Sequence, residues 1–140
     1  MINRILALAL LGLSFGTSSS HAEEPNKDQP AVAAAEKWLT LVDEGKYRES
    51  WKEAAGYFRN AVTAEQWERS ASGVRKPLGK LLSRKLKSAK PMTSLPGAPD
   101  GDYVVIEFTT SFENKRSAVE TVTPLKDKDG KWRVSGYYIR

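Results

Sequence analysis

Glu107, Glu120, Arg75 and Arg84 are the residues whose types and positions could do chemistry in this 140-residue chain. Cysteine is absent and the only histidine is His21, so the usual nucleophile–base pairs have neither thiolate nor imidazole to draw on. Zinc sites lean on the same two side chains. Carboxylate-only sites would suit Ca²⁺ or Mg²⁺ instead. A carboxylate can still act as acid or base when burial raises its pKa toward neutrality. Glu120 meets that condition if Ala118 and Val122 point inward with it. Glu107 falls on the face with Tyr103 and Val105, opposite Ile106 and Phe108. The ordinary alternative pairs each with a nearby arginine, since charges inside domains are normally paired.

Arg84 stands between Leu82 and Leu86 at strand parity, which aims its guanidinium at the apolar face. A lone charge there would cost several kcal/mol, so something must receive it. One answer is a buried pair with Glu120 or Glu107, or hydrogen bonds to helix-end carbonyls. The other is an anionic ligand in a concave pocket, with Arg75 and Tyr137 or Tyr138 nearby. Planar bidentate pairing with a carboxylate is what a guanidinium does best, which favours the first.

Between Arg75 and Lys90 there are seven cations and no carboxylate. Lys76, Lys80, Lys85, Lys87 and Lys90 form a candidate basic surface for an anionic small molecule, a lipid or another envelope component. The ordinary reading is a solvated edge strand whose lysines block aggregation. The run has no aromatic residues for base stacking, so specific nucleic-acid binding is not expected. Asp127-Lys128-Asp129-Gly130 has the look of a calcium loop but lacks its remaining ligand positions, and reads as a hairpin turn.

The first segment governs which of these residues matter. Arg4, the apolar run Ile5–Phe15 and Ser20-His21-Ala22 make a signal-peptide pattern with a cut after Ala22. The run is too short to span a bilayer, and no cysteine follows it for lipidation. The expected product is an exported, periplasmic or extracellular protein without His21, and losing Arg4 alone would bring its net charge from +5 to +4. No cofactor is expected.

Residues 23–30 read as a flexible leader and 31–140 as one domain. From Ala31 the apolar residues Val32, Ala35, Trp38, Leu39 and Val42 recur at helical spacing, with Gly45 as a stop. A second helix opens at Tyr47, turns Tyr47, Trp51, Ala54 and Ala55 inward, and ends at Gly56. A third starts at a Thr63/Gln66 capping box, carries Trp67, Ala71 and Val74 inward, and stops at Pro77. The period then becomes two. Strands are predicted around Leu82–Lys87, Asp102–Glu113, Arg116–Pro124 and Trp132–Ile139, joined by turns at Ser94–Gly101, Asn114-Lys115 and Asp127–Gly130. Gly136 marks a bulge or a close approach by a helix. The predicted fold is α+β, three N-terminal helices packed on a curved antiparallel sheet of about four strands.

Trp38-Leu-x-Leu-Val-Asp-x-Gly-x-Tyr47, Ser50-Trp51, Trp67, Arg75-x-Pro-Leu-Gly, Ser83-Arg84 and Gly130-x-Trp-Arg-Val-x-Gly-Tyr-Tyr138 together resemble a family of secreted bacterial proteins. It is the family of domain of unknown function 4019. The resemblance supplies no catalytic residues. It implies a shape similar to the cone of nuclear transport factor 2 and to cystatin-like folds, where helices close over a curved sheet. Such scaffolds host enzymes and binding modules alike. The leading expectation is a non-enzymatic binding or interaction module, holding an anionic or amphipathic ligand between helices and sheet. The alternative is a carboxylate-dependent hydrolase or isomerase in the same pocket, with Glu120 or Glu107 as base.

Overall fold

The computed structural model describes residues 26–140. The signal-peptide pattern and its cut after Ala22 lie outside the described residues, as do residues 23–25 of the leader, while its last two residues, Gln29 and Pro30, already belong to a helix. Four helices precede four strands: α1 (Gln29–Asp43), α2 (Tyr47–Glu53), α3 (Gly56–Ala61), α4 (Ala64–Leu78), β1 (Leu81–Met92), β2 (Tyr103–Phe112), β3 (Lys115–Lys126) and β4 (Trp132–Ile139). The strands form one antiparallel sheet in chain order, β1-β2-β3-β4. Short connections between sequence neighbours give that order. Among the described residues no helix is long and apolar enough to cross a membrane.

α1 begins two residues before the predicted start, because Pro30 sits in its first turn, where a missing N–H costs no hydrogen bond. Its stripe of Val32, Ala35, Trp38, Leu39 and Val42 is buried as the spacing predicts, with Ala31 beside it. The helix count is the first correction. Gly56 does not end α2; it begins α3, a single short helix whose Phe58 is buried. Six residues carry too little period to be recognised. α4 opens on the capping box, Thr63 Oγ1 accepting from the Gln66 N–H at 3.1 Å and Gln66 Oε1 from the Thr63 N–H at 2.9 Å. Pro77 lies inside its last turn, and the helix ends instead at Gly79, whose φ is +74°.

The indoles pin the helices together. Trp38 and Trp67 both donate to Ser50, to its carbonyl at 2.8 Å and its hydroxyl at 2.9 Å respectively. Trp51 donates to the Val62 carbonyl at 2.8 Å. Phe58 and Tyr137 pack edge-on against Trp67, with centroids 5.0 and 6.4 Å away, the offset aromatic geometry that adds to plain burial. These rings and Val104, Ile106, Phe108, Val122 and Val134 form the core between helices and sheet.

Bulges shape the sheet. In the β1–β2 pairing Leu82 and Lys87 are the extra residues, and in the β3–β4 pairing Ser135 is, next to the predicted Gly136. The face parity expected for Leu82, Arg84 and Leu86 is kept, but the two leucines are about half exposed because β1 is the edge strand of the sheet. Tyr103 reverses the expectation of an outward residue. It is buried, and its hydroxyl donates to the Pro99 carbonyl at 2.5 Å. The DKDG segment is the predicted turn, with Arg133 bridging Asp127 and Asp129 at 2.8 Å each. Arg133 holds the Asp129 carboxyl down at about 2.

Candidate functional site

Each strand and two helices send one polar side chain into the helix-covered side of the sheet. Arg84 of β1 lies opposite Thr110 of β2, and Glu120 of β3 and Tyr137 of β4 continue the line diagonally across the sheet. Asp43 closes α1 at the end of the four-spaced stripe Ala35–Leu39–Asp43, and Arg75 extends the α4 stripe Trp67–Ala71–Arg75. That stripe corrects the predicted one. Arg75 is buried, and Val74 points outward.

The side chains form one bonded cluster. Arg84 grips Asp43 with two nitrogens, Nη1 to Oδ2 at 2.7 Å and Nη2 to Oδ1 at 2.9 Å. It also grips Glu120, Nε to Oε1 at 2.7 Å and Nη2 to Oε2 at 3.2 Å. Arg75 Nη2 adds a bond to Asp43 Oδ1 at 2.7 Å. Thr110 donates to Glu120 Oε1 at 2.6 Å, and Tyr137 donates to Glu120 Oε2. Glu120 is fully buried, and the side chains of Arg75, Arg84 and Asp43 are all less than a fifth exposed. Two guanidinium groups thus meet two carboxylates, and every carboxylate oxygen has a donor.

Electrostatics follow from that closure. Burial alone would raise the Asp43 pKa, but the bonds and charge of Arg84, then of Arg75, outweigh it and hold the carboxyl below its ordinary range. Burial disfavours charge on Arg84 too, yet Asp43 and Glu120 keep it more firmly protonated than usual. Burial and the neighbouring Glu120 charge push the Tyr137 hydroxyl up, so it stays a donor. Arg75 alone has capacity left. Its Nε and Nη1 have no hydrogen-bond partner among the described residues, and its guanidinium carbon lies 4.8 Å from the Phe112 ring centroid. A cation over a ring face recovers part of that loss.

Of the four predicted residues, Arg75, Arg84 and Glu120 converge here. Glu107 does not. It lies on the opposite face of the sheet, half-screened, with Lys87 at 3.6 Å and Arg140 at 3.7 Å. Asp43, Thr110 and Tyr137 complete the cluster, and Asp43 and Thr110 are the partners the sequence reading did not assign. A general base needs a free lone pair within reach of substrate; Glu120 offers none. Among the described residues no three groups of metal-ligating type converge.

Beside the cluster, α4 and the end of β4 enclose a groove of about 230 Å³. Trp67, Ala71, Val74, Tyr137 and Tyr138 wall it, and Arg75 reaches it from the cluster. Val74 and Tyr138 stand at its mouth, 51% and 57% exposed. A more polar depression of about 270 Å³ lies between α1 and β4, beside Lys37, Glu53, Trp132 and Arg133. The predicted basic residues Lys76, Lys80, Lys85, Lys87 and Lys90 are all exposed, from the last turn of α4 along β1.

No curated protein matches the chain. A family does, over residues 34–137, a span from within α1 almost to the end of β4 that includes the whole charged cluster. The chain belongs to that family, described as protein of unknown function (DUF4019).

Proposed function

We propose that the protein is an exported, non-enzymatic binding module that takes the apolar part of a small amphipathic ligand into the groove between α4 and β4. The carrying observation is the pairing of an apolar, aromatic-walled opening with a charged cluster that is already neutral. Val74 and Tyr138 expose apolar surface at the mouth although each could have been polar at no cost to the core. An added anion would leave the buried cluster with a net negative charge, which low-polarity surroundings penalise heavily. A neutral head group avoids that penalty. The groove is smaller than the range of about 300–1,000 Å³ that holds drug-sized ligands, so its occupant is a short alkyl chain. Export rests on the pattern of Met1–Ala22. We read the scaffold as a reduced form of the nuclear transport factor 2-like cone, with the bulges on β1 and β4 as the devices that bend its sheet.

Native mass spectrometry of protein recovered from its own compartment tests this. A retained amphiphile that is lost from a Val74→Ser/Tyr138→Ser variant of unchanged thermal stability supports the reading. Protein that carries no ligand, or a variant that retains it equally, overturns it.

A further inference from the structure

The edge strand β1 is unlike the other three. Eight of its twelve residues are exposed, where β2 exposes one. Leu82, Leu86 and Met92 are each more than two-fifths exposed. Leu86 stands opposite Phe108 on the helix side, whereas Lys85 and Lys90 stand opposite Thr109 and Val105 on the other face, with Lys87 beside Glu107. Lys80 and Lys76 extend the band at one end. There Leu81 pairs with Phe112, and Phe112 with Lys115, bringing the hairpin residues Lys115 and Arg116 alongside. Among the described residues Lys76, Lys80, Lys85 and Lys90 have no ion-pair partner, and Lys87 has only the loose contact to Glu107 at 3.6 Å. Glu113 is the acidic residue nearest this end, and one of its oxygens is taken by the Lys80 backbone N–H at 3.0 Å.

Three occupants could meet such an edge. A second copy pairing β1 to β1 would stack lysine against lysine, which is unfavourable across a ladder. An acidic strand added from another protein would need a regular row of N–H and C=O groups. The bulges at Leu82 and Lys87 interrupt that row, and Pro91 lacks an N–H. A lipid surface needs no register. It can meet an exposed edge from both sides at once, rewarding unpaired cations along one flank and exposed apolar side chains along the other, which is what β1 presents.

We propose that β1 lies edge-on against an anionic phospholipid surface, with Lys80, Lys85, Lys87 and Lys90 meeting the head groups and Leu82 and Leu86 reaching the same surface from the other side of the edge. The test is flotation of the purified protein with vesicles of phosphatidylcholine alone and with added phosphatidylglycerol, counting only the excess binding to the second. Lys85→Gln/Lys87→Gln/Lys90→Gln should lower that excess about a hundredfold, roughly fivefold per lysine near a charged surface. Leu82→Ser/Leu86→Ser should lower it roughly tenfold while keeping its salt dependence. Both sets of positions are exposed, so circular dichroism should show an unchanged fold. No excess at low salt, or binding unchanged in either variant, overturns the proposal. So does binding to polyglutamate that exceeds binding to the charged vesicles, which would assign the edge to an acidic protein.

Discussion

Arg84→Ala removes the one side chain that contacts both buried carboxylates. Four hydrogen bonds disappear, two from Asp43 and two from Glu120. Asp43 keeps Arg75, but Glu120 is left fully buried with only the hydroxyls of Thr110 and Tyr137. Breaking a buried pair from one side costs about 3–5 kcal/mol, because the other charge stays in place without its partner. In a domain of this size about 1 kcal/mol moves the melting temperature by roughly 4 °C. Differential scanning calorimetry at pH 7 should therefore show a drop of about 12–20 °C. Glu120→Gln in the Arg84→Ala background should recover part of the loss, because it removes the stranded buried charge. A drop below about 4 °C, or a double variant no more stable than Arg84→Ala alone, would refute the structural role of the cluster.

The wild type should lose stability in acid. Asp43 is held below its ordinary range, so its contribution is present above the unfolded pKa of about 3.9 and is lost as pH falls through the folded value; urea titrations between pH 2 and 6 check this. Ser50→Ala strips the Trp67 indole of its acceptor, and should cost about 1–3 kcal/mol in the same titrations at pH 7. Gly79→Ala should cost about 2–3 kcal/mol, since Gly79 sits at φ +74° and ψ −159°, a region of backbone space open to glycine almost alone. The added Cβ would also meet Glu113 Cβ at 3.0 Å. Carbon-detected NMR should place the Asp129 midpoint near 2, and Arg133→Gln should return it toward about 3.9.

The elements with strong local signals were legible in the sequence. α1 announces itself through five small and apolar residues on one stripe, α4 through its capping box, and β4 through the turn that precedes it. α3 was not legible, because a single turn and a half has no period to detect. The candidate site was legible by halves. Strand parity identified Arg84 and Glu120 as inward, and Tyr137 was named as a neighbour. Asp43 follows Val42 and looks like the polar end of a helix, yet its spacing of four from Leu39 placed it on the buried stripe. Thr110 shares the parity of Phe108 and Phe112 and could have been found the same way. Arg75 displaced Val74 on the inner face because it gains a carboxylate and a phenyl ring there, a tertiary contact that a hydrophobicity pattern cannot express. The exposure of Leu82 and Leu86 depends on how far the helices reach across the sheet, which is likewise not written in β1 itself.

The groove between α4 and β4 carries the proposed binding, and two-dimensional ¹⁵N–¹H NMR reads it directly. The chain has four tryptophans, and of these Trp67 walls the groove, so their indole N–H signals form a ready map. Titration with a neutral short-chain alkyl glucoside below its micelle threshold should shift the Trp67 indole and the Val74 and Tyr138 amides along one saturable curve, leaving the Trp51 indole still. Absence of a saturable shift at these three positions, or shifts confined to the depression beside Lys37 and Trp132, would contradict the account.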